Sequence, residues 1–164
     1  MSAIEPKFRD PIYAGVAAAT GIAIPGLFAP ALDMAGVGVT WTAMVAGIAD
    51  KAGLDLTPAA AAKLVAAGVT AVSGYVFGSK LLTWAATPLI LAFPVAGVPA
   101  AIAVNATLNG LFTLRLGMTC ASKFSRPDFD ASDVLELALS ISTFLVKVPT
   151  REELTLVREI VATW

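Results

Sequence analysis

The longest apolar stretch of the chain covers residues 81–114, which are 34 consecutive positions without a charged side chain. About 18 such residues already indicate a helix that can cross a membrane. Near its middle, the segment 93–99 holds two prolines and a glycine. Because these residues do not continue a helix, the pattern predicts a helical hairpin with a helix-breaking elbow over 87–99, whose flanking helices pack antiparallel.

Hydrophobic periodicity along the rest of the chain predicts about six helices in total. The first four are apolar and rich in small residues, whereas the last two are amphipathic, with charged and apolar residues on opposite sides. A polar segment containing Pro127 separates the two groups. The predicted helices cover approximately 11–24, 33–52, 58–86, 98–123, 132–148 and the residues after 150.

Local capping signals mark the ends of several of these helices. Asp33 is a candidate N-cap, and Gly53 is a candidate stop for the same helix. Thr57 precedes a proline at the first helical position, which is a typical helix start. Thr150 and Glu153 have the spacing of a capping box, in which each residue bonds to the backbone of the other.

These elements predict an all-α fold, a compact helical bundle of about six helices with a central apolar hairpin, associated with a membrane. We expect one helical domain over 1–164. Within it, 1–10 would form an N-terminal arm, 11–124 the apolar bundle with the elbow near 87–99, and 125–164 the amphipathic C-terminal helices.

Composition supports the membrane interpretation. The chain is 57% hydrophobic, only 14% of its residues are charged, and its mean hydropathy is +0.81. Ordinary soluble domains carry roughly 25% charged residues. The apolar excess must therefore face lipid, other copies of the chain or a partner. The 11 basic and 12 acidic residues nearly balance and the cations are scattered, which excludes nucleic acid as an expected partner.

The residue types that support most catalytic and metal sites are missing. The chain has no histidine and a single cysteine, Cys120, so it has neither an intramolecular disulfide nor a Cys/His metal site. It contains no phosphate-binding loop of the GxxxxGK type and no Ser–His or Cys–His pair. We therefore expect no enzymatic activity, no catalytic residue, no cofactor and no bound metal.

Small residues recur at helical spacing on three of the predicted helices. Such stripes allow two helices to approach closely, within one chain or between copies. Gly74 and Gly78 form a GxxxG pair, which also arises by chance in a chain so rich in alanine and glycine. The candidates for helix packing or an oligomer interface are Gly36, Gly47, Gly74, Gly78, Ala103, Ala106, Gly110 and Gly117.

Six polar residues are embedded in apolar sequence and allow two interpretations. They can form a polar relay or line a pore, as ionisable groups at membrane depth often do. Alternatively, Asp33 caps a helix, the asparagines bond across to neighbouring helices, and the arginine sits at a membrane interface with its stem reaching water. We favour this structural interpretation. The six residues are Asp33, Lys63, Lys80, Asn105, Asn109 and Arg115.

Residues 12–124 contain a proline-containing turn, an aspartate, a helix with a methionine and a closing glycine. These features lie in Ile24-Pro25-Gly26 through Asp33, Trp41-Thr42-Ala43-Met44-Val45, Ala49-Asp50-Lys51-Ala52-Gly53, Phe93-Pro94-Val95-Ala96-Gly97, Asn105-Ala106, Thr113 and Leu116-Gly117. In these segments the chain resembles the YcjF-like, GTPase-associated bacterial domain of unknown function. The resemblance implies an α-helical, membrane-associated module. Because this chain has no GTPase domain, a GTPase would be a separate partner.

Together these patterns predict a non-enzymatic, self-associating helical membrane or scaffold protein, with a lipid bilayer and further copies of the chain as its partners. The expected location is the bacterial cytoplasmic membrane, with both termini on the cytoplasmic side. Two alternatives stay open. One is an oligomeric pore lined by the polar stripe from Lys63 to Lys80, and the other is a soluble shell or adaptor protein that hides its apolar surface in a large homo-oligomer.

Overall fold

The computed structural model describes residues 4–23, 30–70, 94–129, 137, 140, 141, 145 and 147–164. Within these residues the chain is all-α, as predicted, and contains no strand. Five helices have defined bounds, not six, and positions 137, 140, 141 and 145 are also helical. The five are α1 (Pro6–Gly21), α2 (Pro30–Ala52), α3 (Pro58–Thr70), α4 (Pro94–Phe124) and α5 (Arg151–Thr163).

α1 and α2 both begin earlier in the chain than the sequence predicted. α1 begins at Pro6, within the stretch 1–10 that was predicted as an N-terminal arm, and Pro11 lies inside the helix. A proline at the first helical position loses no backbone hydrogen bond, and the fully buried Phe8 anchors the first turns to the core. α2 begins at Pro30. Asp33 is therefore a residue of the first turn and not the predicted N-cap.

Part of the predicted elbow is helical. α4 begins at Pro94, and Pro99 lies inside it, so 94–99 are helical and that part of the elbow prediction is wrong. The other elbow residues, 87–93, lie outside the described part of the chain, as does the predicted extension of α3 beyond Thr70. The antiparallel packing of the hairpin therefore stays a prediction.

Two helix ends lie where capping residues in the sequence predicted them. The Thr57 hydroxyl accepts a hydrogen bond from the Ala60 N–H at 3.2 Å, which caps α3. Gly53 ends α2 with a φ of 75°, a conformation that favours glycine. Its N–H donates to the Asp50 carbonyl, and the Leu54 N–H donates to the Ala49 carbonyl, each at 3.0 Å. This pair of bonds is the Schellman motif.

The core lies where α1, α2 and α4 pack against one another, and α5 closes it against α4 and α1. α1 buries one stripe along its length, consisting of Phe8, Ile12, Gly15, Val16 and Ala19. α2 contributes a bulky stripe and α4 contributes most of its C-terminal half. The buried residues of these two helices include Val37, Trp41, Met44, Ile48, Leu111, Leu114, Leu116 and Cys120.

Candidate functional site

A buried arginine forms the most elaborate polar contact in the described residues. Arg115 lies on α4 with only 1% of its side chain exposed. Its Nε and Nη2 donate to the two carboxylate oxygens of Glu153, each at 2.8 Å. Its remaining N–H groups donate to the carbonyls of Leu145, Lys147 and Val148. All five donors of the guanidinium are therefore used within the protein.

Glu153 combines this ion pair with the predicted capping box. Its Oε2 accepts the Thr150 N–H at 2.8 Å, and its own N–H donates to the Thr150 hydroxyl at 3.2 Å. The capping box at the start of α5 is thus confirmed. The Arg115 guanidinium, followed by the backbone of Thr150, holds the pKa of the Glu153 carboxyl below its ordinary value, against the opposing effect of burial.

The pair connects three parts of the chain. The carbonyls of Leu145, Lys147 and Val148 lie where the helical positions before Pro149 end, and such carbonyls have no partner within their own helix. Arg115 supplies their partner and, through Glu153, also fixes the start of α5. The expectation that Arg115 lies at an interface with its stem reaching water is therefore wrong.

Two asparagines on α4 bond to the end of α1. The Asn109 side-chain amide donates to the Ala19 carbonyl at 3.3 Å, and the Asn105 amide donates to the Ala23 carbonyl at 3.2 Å. These carbonyls lie at or just beyond the last turn of α1, where helices leave backbone acceptors without partners. The Asn109 contact joins α4 to α1, as the structural interpretation of these residues proposed, and the Asn105 contact joins α4 to the segment just beyond the end of α1.

A third polar contact was not visible in the sequence. The Trp41 indole N–H on α2 donates to the Thr113 hydroxyl on α4 at 2.7 Å, and this hydroxyl donates to the Asn109 carbonyl at 2.6 Å. Both side chains are buried. Trp41 recurs at helical spacing with the other large apolar residues of α2, and this pattern alone indicated its burial. Nothing in the sequence indicated its partner.

Four of the predicted small residues lie at contacts between segments of this chain. A methyl group added at Gly110 would lie 2.7 Å from the Val157 side chain and 2.9 Å from the Thr20 hydroxyl. At Gly117 it would lie 2.9 Å from Ile12. The corresponding distances at Gly36 and Gly47 are 3.2 Å, to Ile22 and to Pro11. Gly110 and Gly117 are therefore covered within one chain and are unavailable to a second copy.

The other predicted site residues are not gathered into one place. Lys63 is exposed on α3, whereas Ala103 is exposed and Ala106 half-buried on α4. The side chain of Asp33 and all of Gly74, Gly78 and Lys80 lie outside what the structure describes. The polar relay that would join Asp33, Asn105, Asn109 and Arg115 is not visible in the described residues. Both asparagines bond there to backbone carbonyls near the end of α1, and Arg115 is used by Glu153.

The two halves of α4 have different surroundings. The stretch Gly97–Phe124 is long and apolar enough to cross a membrane by length and composition, and a third of its most apolar window is buried inside the protein. The burial is concentrated after Leu108. Before it, one side of the helix is exposed at helical spacing, through Ala100, Ala103, Val104 and Thr107, which we call the α4 stripe.

The buried polar side chains of the described residues are satisfied within the protein. Every buried side-chain nitrogen and oxygen in this part of the chain has a hydrogen-bond partner. No group of three acidic or sulfur ligands suited to a metal ion occurs there either. The polar contacts around Arg115 thus hold helices together, and their donors and acceptors are used within the protein.

The chain matches no family model, no curated protein and no solved structure. The likeness to the GTPase-associated domain therefore stays a prediction from its motifs.

Proposed function

We propose that this chain is a non-enzymatic, self-associating helical membrane protein that serves as a scaffold. The α4 stripe carries the proposal, because it is an apolar helix surface that the chain leaves exposed. Its one polar member, Thr107, donates its hydroxyl to the Ala103 carbonyl at 2.8 Å. The stripe therefore presents no unsatisfied polar group to lipid or to a neighbouring helix.

The arrangement of polar contacts supports insertion of the N-terminal half of α4. The buried C-terminal half belongs to a bundle that resembles a soluble core, whereas the exposed half projects its apolar side from this bundle. Core helices of soluble proteins are also long and apolar, but the bundle covers them on most sides. The bacterial cytoplasmic membrane, termini on the cytoplasmic side and a separate GTPase partner complete the proposal. The bacterial source and the GTPase rest on the resemblance alone.

Membrane association is tested by fractionation of cells that produce the full chain. We expect the protein in the membrane pellet, retained after alkaline carbonate and released only by detergent. Release by carbonate would contradict insertion of α4. Recovery in the supernatant as a large particle would favour the soluble shell instead.

Self-association is tested with introduced cysteines, since the only native cysteine, Cys120, is buried. Ala103→Cys places a thiol on the α4 stripe, and Val39→Cys places one on the exposed side of α2. Under mild oxidation of membranes, we expect a disulfide-linked dimer for Ala103→Cys and none for Val39→Cys. Equal crosslinking of both variants, or of neither, would contradict an interface on α4.

A further inference from the structure

α5 packs against α4 just beyond the end of the α4 stripe. Val157 covers Gly110, which follows the last stripe residue, Thr107, by three positions. Glu153, one turn before Val157, bonds to Arg115, which lies on the C-terminal side of Gly110 along α4. The edge of α5 that carries Glu153 therefore faces the C-terminal half of α4, and the opposite edge faces the stripe.

The opposite edge of α5 combines exposed apolar side chains with two cations. Its residues recur at spacings of three, four and three, which places them on one side of a helix. They are Arg151, Leu154, Arg158 and Val161, which we call the α5 edge. All four are exposed, Leu154 to 37% and Val161 to 43%. Neither arginine forms an ion pair with a described residue.

The acidic residues of α5 lie away from this edge. Glu153 is buried against Arg115. Glu152 and Glu159 each directly follow an arginine of the edge in the sequence, and successive residues of a helix are about 100° apart. The α5 edge is therefore positive, with both cations beside apolar side chains, although the whole chain carries a net charge of -1.

An edge of this kind is complementary to the surface of a membrane that contains anionic phospholipids. The apolar side chains of an interfacial helix enter the boundary between headgroups and acyl chains, while its cations attract anionic lipid. A guanidinium also binds phosphate oxygens through two parallel hydrogen bonds. Because the α5 edge adjoins the α4 stripe, the two form one continuous surface suited to lipid.

We propose that the α5 edge docks on anionic phospholipid at the level of the headgroups, beside the inserted N-terminal half of α4. The inference rests on the proposed function, because the adjoining α4 stripe favours lipid over a protein partner. Glu153 bonds to Arg115 and to the backbone of Thr150, which fixes the start of α5. The edge is therefore preformed, and docking requires little further ordering.

Docking is tested with a fluorophore on α5 of the full chain in reconstituted vesicles. Nitrobenzoxadiazole is attached to Val161→Cys on the edge or, as the matched control, to Ala162→Cys at the next exposed position; the native Cys120 is buried. The vesicles contain equal amounts of phosphatidylcholine and phosphatidylglycerol, and either lipid carries a nitroxide quencher.

We expect the label at position 161 to be quenched more strongly by phosphatidylglycerol, with a preference of about fivefold over phosphatidylcholine that falls as salt is added. The label at position 162 should be quenched weakly and equally by both lipids. Equal quenching by both lipids at position 161 would overturn the proposal. A label at 161 that neither lipid quenches, and whose emission changes with protein concentration, would assign the edge to a second copy instead.

Two double variants test the charge. Arg151→Gln/Arg158→Gln removes both cations of the edge and should abolish the preference for phosphatidylglycerol. Lys51→Gln/Lys63→Gln removes the same charge from exposed positions on α2 and α3, and should leave the preference unchanged. An equal loss in both double variants would show that only the net charge matters, and would overturn the assignment to α5.

Failure of this inference can be distinguished from failure of the proposed function. Retention of the chain after alkaline carbonate, without a lipid preference at position 161, would overturn only the docking of α5. If the chain does not enter membranes, flotation of the purified protein with vesicles tests the edge by itself. Salt-sensitive flotation with phosphatidylglycerol but not with phosphatidylcholine would then support docking, and flotation with neither would overturn it.

Discussion

At the residue scale, Arg115 and Glu153 depend on each other because both are buried. Their side chains are 1% and 7% exposed. We expect Arg115→Met to lower the free energy of unfolding by about 3–5 kcal/mol, since it leaves a buried carboxylate without its cation. The Arg115→Met/Glu153→Leu double variant should recover part of this loss. Chemical unfolding followed by far-UV circular dichroism measures the three values.

Arg126→Met provides the control for this cycle. Arg126 pairs with Asp128 at 2.7 Å, but these side chains are 47% and 68% exposed. An exposed pair contributes little to stability, because water and salt screen it. A loss in Arg115→Met as small as that in Arg126→Met would contradict the structural role of the buried pair.

The same pair makes stability depend on acid. The pKa of Glu153 is lowered from its ordinary value of 4.5 by its bonds to Arg115. Its contribution is therefore complete above the unfolded-state value and is lost as the pH falls through 4.5 toward the lower folded-state pKa. We expect Glu153→Gln to be less stable than the unaltered chain at pH 7, and the difference to shrink below about pH 4. A difference that is constant from pH 7 to pH 3 would contradict this.

Gly110 and Gly38 test close packing with the same substitution. A methyl group at Gly110 would approach Val157 to 2.7 Å, whereas at Gly38 it would meet nothing within 4 Å. We expect Gly110→Ala to lower the free energy of unfolding by about 1–3 kcal/mol through overpacking. Gly38→Ala should raise it by up to about 1 kcal/mol, because alanine favours the helix. The same sign for both would show that the helices do not approach at Gly110.

The sequence indicated single polar residues better than it indicated their partners. Asn105 and Asn109 were expected to bond to neighbouring helices because an amide in apolar surroundings needs a partner. Arg115 was identified as embedded, but its partner Glu153 lies 38 residues further along the chain. No local pattern joins them, since Glu153 already had a sufficient role in its capping box. The pairing results from tertiary structure and could not be predicted from the sequence.

At the scale of helices, capping can be tested where it was predicted. Thr150 accepts the Glu153 N–H, and Thr57 accepts the Ala60 N–H. We expect Thr150→Val and Thr57→Val each to lower the free energy of unfolding by about 0.5–2 kcal/mol. Thr150→Val should lower the free energy of unfolding more than Thr57→Val does. The Thr150 hydroxyl also helps to position Glu153, whose carboxylate accepts two hydrogen bonds from Arg115. Thr70→Val, at an exposed hydroxyl on α3, is the control, and an equal loss there would contradict specific capping.

Helix ends that are formed by residues close in sequence were predicted, whereas prolines that lie inside a helix gave wrong boundaries. The caps at Thr57 and Thr150 and the stop at Gly53 are formed by residues close in sequence. The predicted helices began at Pro11 and just before Pro99, but α1 and α4 begin earlier, so that both prolines lie further inside a helix. Contacts along the rest of α1 and α4 outweigh the single hydrogen bond that each proline removes, and these contacts come from distant segments.

At the scale of the whole molecule, the small residues proved to serve two different surfaces. Gly110 and Gly117 allow α4 to approach α1, α2 and α5 within one chain, whereas Ala103 lies on the exposed stripe of the same helix. The buried glycines and the exposed alanine recur with the same helical spacing. The sequence therefore could not distinguish small residues that pack within the chain from small residues available to a second copy. In the structure, the end of α1 separates the two surfaces of α4. Residues of α4 that lie beyond this end have one exposed side.

The two surfaces lead to a prediction about insertion that uses two exposed valines. Val104 on the α4 stripe is 56% exposed, and Val39 on α2 is 72% exposed. If the projecting half of α4 lies in lipid, Val104→Arg carries a charge into the apolar layer, at a cost of about 2.5–3.5 kcal/mol at the centre of a membrane. We expect it to shift the protein out of the carbonate-resistant membrane fraction. Val39→Arg should leave the distribution unchanged, because the proposal keeps α2 outside the membrane. A shift in Val39→Arg alone would place the membrane contact on α2 instead, and no shift in either variant would mean that the apolar side of α4 is covered by protein.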